Sequence, residues 1–344
     1  MTNKKQVVKK EKTKKVPHSF VGKYRLPHFR IELPSGGTVV NGPYINGRHQ
    51  LPVQLHLIIE QQLEDGAWVR RYLTESQQKF LVILRYGVPG SYALPDGWTS
   101  SRTKNRYDTG LWQDGGVEEG GAKADLDVID PAIEIFDFFL MADESAIITP
   151  QRLMGRLAIE GNLFYTTASD SSITATPIRP YFLPSSRLVV NVDESAYVGP
   201  YFNVTVYYIL LPAGLTILET LALDEYISAD GEGGKYLLSI FCNQGAFVGE
   251  KANKMGVLFG KDNSFEDILI SDIWSSQYPA PAHHRVSYGK FNTNLRAIRV
   301  TQELFPYTDS GNRGVLSAVD NFGNVIRLRI STQNKGVSYE FTSF

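Results

Sequence analysis

Tyr201-Phe202-Asn203-Val204-Thr205-Val206-Tyr207-Tyr208 carries the strongest strand signal in the chain. β-Branched and aromatic side chains suit a pleated surface and lose rotamer freedom in a helix. The run therefore predicts a core strand. Upstream, Val53-Gln54-Leu55-His56-Leu57 alternates strictly, which puts Val53, Leu55 and Leu57 on one face. Short apolar or alternating runs recur at 29–33, 68–73, 80–86, 133–141, 156–165 and 173–176, bounded by Gly, Pro, Asn or Asp. Downstream they occupy 187–192, 235–242, 246–248, 257–259, 296–301, 315–319, 324–331 and 337–342. Only 215–224 and 264–274 read as short helices.

The composition agrees with this reading. The 344 residues include 18 Tyr, 18 Phe, 30 Gly and 17 Pro, a mixture that favours strands joined by turns over long helices. Pro177, Pro180 and Pro184 punctuate the middle of the chain and mark a boundary. The expected organisation is a basic N-terminal arm and lead-in at 1–28, a first sandwich at 29–179 and a second at 180–344. Residues 87–127 read as one long loop, rich in Gly and carrying Trp98 and Trp112. Turn signals at this spacing point to an all-β sandwich architecture.

The net charge of −1 hides an asymmetry. Residues 1–30 carry ten Lys and Arg against Glu11, or +9, which leaves −10 for the remainder. Within 1–16 the only apolar side chains are Met1, Val7, Val8 and Val16, too few to offset the entropy of ordering. The arm is expected to be disordered in isolation. Its simplest role is that of a solvated tail; the sharper expectation is contact with a polyanion, either genome phosphates or an anionic membrane, through Lys4, Lys5, Lys9, Lys10, Lys12, Lys14 and Lys15. With no Arg or aromatic residue through position 16, such contact is generic and salt-sensitive.

Sites of chemistry are scarce. Cys242 has no partner for an intrachain disulfide, and its apolar neighbours suggest a buried thiol. No apolar segment follows the basic N-terminus, so a soluble protein made in a reducing cytoplasm is expected. His283-His284 point to opposite sides of an extended chain and lack metal-ligand spacing. Gly231-Glu232-Gly233-Gly234-Lys235 is followed by Tyr236, where a phosphate loop requires Ser or Thr. Asp125, Asp127, Asp130, Glu134 and Asp137 supply carboxylates that a glycosidase or a weak Ca²⁺ site would use. Their place at a loop–strand junction equally suits capping. The expectation is a non-enzymatic protein with no cofactor and no metal.

A basic arm, a Pro-bearing lead-in and a β-body of two near-equal halves with long loops resemble viral coat proteins. The pattern and size resemble the double jelly-roll major capsid proteins of small icosahedral bacteriophages with an internal membrane. That resemblance implies two jelly-roll sandwiches in tandem, with a few short helices, in a subunit that trimerises and tiles into a shell. It implies a virion protein made in the host cytoplasm, with itself and vertex or minor capsid proteins as partners. The arm would face the membrane or genome inside. Subunit contacts are then expected at Trp98 and Trp112 in the long loop, and at Tyr339, Phe341 and Phe344 near the C-terminus. Two alternatives stand beside it: another virion component (spike, tail or minor capsid), and a carbohydrate-binding or carbohydrate-processing sandwich that stacks sugars on Trp98, Trp112 and Trp274.

Overall fold

The structure, a computed structural model, describes residues 23–87, 93–113, 116–118, 130–200 and 202–221. Toward the C-terminus it describes 227–230, 236–244, 251–260, 267–269, 285–287, 295–303, 313–333 and 338–343. The protein is all-β. The helical segments among the described residues are α1 (Glu75–Gln78) and two short 3-10 turns, Thr166–Ser169 and Ser185–Arg187.

The first half runs β1 (Tyr24–Glu32), β2 (Val39–Tyr44), β3 (Leu51–Gln62), β4 (Trp68–Arg71), β5 (Leu81–Arg85) and β6 (Trp98–Ser101). It continues with β7 (Leu111–Gln113), β8 (Gly116–Glu118), β9 (Glu134–Ala142), β10 (Gln151–Ile159), β11 (Asn162–Tyr165) and β12 (Ile173–Ile178). One sheet has the order β1-β3-β9-β6, with β4 beside β3. The other has the order β11-β10-β12-β2, with β5 also on β10, and its β12–β2 pair is parallel.

The two sheets close on one apolar core. In β3 the side chains of Leu51, Val53, Leu55, Leu57 and Ile59 are buried while their even-numbered neighbours are half-exposed, the alternation visible in the sequence. They meet Leu81, Leu153, Leu157 and Ile173 of the opposite sheet. Each such side chain contributes about 1.5–3 kcal/mol when fully buried. Gly155 in β10 allows the close approach: a Cβ there would lie 2.5 Å from Leu55 Cδ2 and 2.8 Å from Thr166 Cγ2.

The second half runs β13 (Val189–Val198), β14 (Phe202–Leu210), β15 (Ile217–Leu221), β16 (Ile227–Asp230), β17 (Tyr236–Gln244) and β18 (Lys251–Gly260). After β19 (Asp267–Leu269) and β20 (Arg285–Ser287) come β21 (Leu295–Glu303), β22 (Arg313–Asp320), β23 (Val325–Gln333) and β24 (Ser338–Ser343). Its six-stranded sheet has the order β13-β14-β21-β18-β17-β16, and its four-stranded sheet β15-β22-β23-β24. Tyr207, Ile209, Leu295 and Ala297 of the first meet Ala318, Ile326, Leu328 and Ile330 of the second.

β14 is buried on both faces. Val204, Val206 and Tyr208, which alternate with the core-facing Tyr207 and Ile209, are fully buried as well. A strand with no solvent face reads as a continuous apolar and β-branched run, and this accounts for the strength of its signal.

Four local expectations are corrected. Residues 24–28, taken as lead-in, already belong to β1, where Tyr24 pairs with Gln61 and Arg25 with Glu60. The stretch 87–127 is not one loop, since it contains β6, β7 and β8. A turn closed by Trp98 N donating to Pro95 O (3.0 Å) starts β6, which pairs with β9. The helix expected at 215–224 is the strand β15 over its described part. Leu215 and Ile217 are buried with Thr216 exposed between them, a period of two. The helix expected at 264–274 has one described part, and this is the short strand β19.

Candidate functional site

The expected site residues lie as follows. Lys4, Lys5, Lys9, Lys10, Lys12, Lys14, Lys15 and Phe344 fall outside the described residues, as do His283, His284, Trp274, Asp125 and Asp127. Trp98 is buried in the first half's own core, across from Ala142. Trp112 donates through Nε1 to Ala213 O (3.0 Å) and packs against Tyr181 at 4.8 Å between ring centroids. Tyr339 packs edge-on against Tyr207 at 4.9 Å, its hydroxyl donates to Ile298 O, and Phe341 sits 6.0 Å from it. These four side chains thus make contacts within the chain, Trp98 buried and the other three half-buried; large rings gain where water is excluded.

What the structure gathers instead is a seam between the halves. The turn after β22, Asp320-Asn321-Phe322-Gly323-Asn324, enters the first half. Turn chemistry explains its shape, since Gly323 adopts φ +78 and Asp320 Oδ1 accepts from Phe322 N (2.8 Å) and Asn324 N (2.9 Å). Phe322 is fully buried, its ring 6.4 Å from Tyr44 and 6.1 Å from His49. Asn46, in the segment after β2, donates to Phe322 O (3.0 Å) and Asn324 Oδ1 (2.6 Å). Arg48 Nη1 donates to Gly323 O (3.3 Å).

A second set of bonds joins the β6–β7 connection to the same turn. Asn321 Nδ2 donates to Asp108 Oδ2 (2.6 Å) and Gly214 O (3.0 Å), while Asp108 N donates to Asn321 O (2.7 Å). Nearby, Arg106 pairs with Glu219 of β15.

Burial governs the protonation of this seam. His49 Nδ1 accepts from Tyr44 N (3.0 Å), which leaves Nε2 to carry the proton and donate to Gly110 O (2.8 Å). Loss of solvent pushes His49 down to about 4, against a weaker upward pull from Gly110 and Asp108. The same loss pushes Asp320 up to about 6; the donors Tyr181, Asn324 and Phe322 oppose it and Asp108 adds to it. Tyr181 donates its hydroxyl to Asp320 and is held well above the usual phenol range, first by burial and then by that carboxylate. Tyr44, whose oxygen accepts from Trp112 N (3.2 Å), is pushed up to about 12 by burial.

Chemically, this arrangement is a lock. Asn46, Arg48, Asp108, Asp320 and Asn321 each have a partner across the seam or within the turn, while His49 and Tyr44 have theirs in the first half. Among the described residues no three His, Cys, Asp or Glu side chains cluster to hold a metal, and no helix is long and apolar enough to cross a membrane. The turn itself is legible in the sequence as Asp-Asn-Phe-Gly-Asn between two apolar runs, but nothing local signals its burial. No protein-family model and no curated protein matches the chain.

Proposed function

We propose that the chain is a virion structural protein, the major capsid subunit of an icosahedral phage shell. In this reading the two sheet pairs are tandem jelly rolls, and three chains form a capsomer that tiles with its copies and with vertex or minor capsid proteins. The observation that supports it best is the seam. A buried set of hydrogen bonds joins the two β-sandwiches into one block. A block of that kind suits a tile more than a catalyst.

Two further observations favour the reading. The +9 charge of residues 1–30 against −10 for the rest suits an inner arm on an acidic body, with genome phosphate or anionic membrane as its partner. Trp98 and Trp112, the natural sugar-stacking platforms of a carbohydrate-binding alternative, are both engaged inside the chain.

Light scattering of purified full-length protein, with negative-stain images of the same fractions, tests the proposal. Trimers, shells or sheets are the expected result. A monomer at micromolar concentration defeats it. Deletion of residues 1–16 is expected to leave the trimer intact and weaken particle closure.

A further inference from the structure

Asn-Gly occurs twice in the chain, at 41–42 and 46–47. In such a pair the glycine's backbone nitrogen can attack the Asn side-chain carbonyl, because no Cβ on the following residue shields it. A bond forms from that nitrogen to Cγ, and the side-chain nitrogen leaves as ammonia, giving a cyclic imide. Water then adds to either imide carbonyl and cleaves its C–N bond. The product is aspartate, or isoaspartate with the main chain rerouted through the side-chain carbonyl. No electron is transferred, and water is the one co-reactant.

The fold holds the second pair away from this reaction. Asn46 Nδ2 donates to Phe322 O (3.0 Å) and Asn324 Oδ1 (2.6 Å), and its Oδ1 accepts from Arg48 N (2.9 Å) and His49 N (2.8 Å). Two donors and two lone pairs are the whole capacity of the amide, and all are used. The attacking atom is engaged as well, since Gly47 N donates to Ala142 O (2.9 Å). Ring closure therefore requires the seam to open locally. The reagent is at hand, because Asn46 and Gly47 line a solvent-open cleft of about 670 Å³ beside Arg48, Arg179 and Glu144.

We infer that Asn46-Gly47 is a latent deamidation site, protected by the closed seam, whose conversion unlocks it. A carboxylate at position 46 keeps the bonds from Arg48 N and His49 N. Opposite Phe322 O and Asn324 Oδ1 it sets oxygen against oxygen where two hydrogen bonds stood. Rotation of the Asn324 amide relieves one of these clashes, but the Phe322 carbonyl is backbone and stays. Isoaspartate adds a methylene to the main chain before Gly47 and displaces its bond to Ala142 O. Loss of ammonia makes the change one-way, so a chain left open long enough cannot close as before. The inference stands on the seam alone and does not depend on the assembly reading.

The test incubates full-length protein at mildly alkaline pH, folded or unfolded in urea, and follows conversion of Asn46 by peptide mapping. Asn41, read in the same digest, serves as the reference for the chemistry in urea. Asn46 is expected to convert more slowly in the folded protein than in urea, by roughly tenfold or more. Alongside, Asn46→Asp is expected to lower Tm and to hasten cleavage near Pro180, between the halves, under light proteolysis. Asn46→Ser removes the donors without adding charge; it is expected to shift both readouts the same way by less, and it carries the test if Asn46→Asp does not fold. Conversion of Asn46 as fast in the folded protein as in urea overturns the protection. Variants with wild-type Tm and protease resistance overturn the unlocking.

Discussion

Asn321 Nδ2 lies 2.6 Å from Asp108 Oδ2, joining residues 213 positions apart across the seam. The same amide group donates to Gly214 O, and its Oδ1 accepts from Thr216 N at 2.9 Å. Asn321→Asp replaces both donors with a second carboxylate beside Asp108. A loss of about 2 kcal/mol or more is expected from unmade buried hydrogen bonds and like-charge repulsion. Thermal denaturation at neutral pH measures it, and an unchanged Tm would remove Asn321 from the lock.

Gly323 offers a sharper comparison. At φ +78 any Cβ is strained, and here it would also lie 2.6 Å from Arg48 Cβ. Gly161 shares the strain at φ +83 and has open space around it. Gly161→Ala is expected to cost about 1–2 kcal/mol from backbone conformation alone. Gly323→Ala is expected to cost clearly more. Equal costs would mean that Arg48 does not press on the turn.

At Gly155 the sign of the effect is the test. Within a strand, Ala is ordinarily better than Gly by roughly 0.5–1 kcal/mol. Here the new methyl meets Leu55, which is fully buried and has nowhere to move. Gly155→Ala is expected to destabilise by about 1–3 kcal/mol through overpacking. A rise in Tm would show that the two sheets have slack between them.

His49 and Asp320 respond to pH in opposite directions. Folded His49 titrates near 4 and its ordinary value is 6.5, so the unfolded chain takes up the proton first and stability falls as pH drops through that window. Folded Asp320 titrates near 6 and its ordinary value is 3.8, so the folded chain takes up the proton first and stability rises as pH drops from about 6 toward 4. Each contribution is on the order of 3 kcal/mol, and in the wild type they largely cancel. Asp320→Asn is expected to expose the loss toward acid, and His49→Gln the gain. Urea denaturation at pH 4, 5, 6 and 7 reads both, and parallel pH profiles for the two variants would contradict this assignment.

The first half's core was legible because β3 alternates without a break from Val53 to Leu57. β14 was legible as a strand, but not as one buried on both faces, since a short apolar run looks the same in either setting. At 215–221 the Leu and Ile spacing fits a helix as well as a strand; pairing with β22 decides it, with Leu221 opposite Ser317. Trp98 was read as a loop residue because the preceding Pro-Asp-Gly signals a turn, yet that turn delivers the ring into the core. The seam was invisible for a different reason. Its partners, Asn46 with Asn324 and Asp108 with Asn321, are separated by more than two hundred residues, and neither partner is unusual where it stands.

The position of Phe322 also sets an order of events during synthesis. Tyr44, Leu111 and Ile178 belong to the first half in sequence but pack into the second core. When a ribosome has made residue 178, those side chains have no cover, and the turn that supplies it is 142 residues away. At ordinary elongation rates the wait is on the order of ten seconds. A nascent first half thus emerges with a sticky flank, a target for chaperones and for wrong pairing between neighbouring chains on one message.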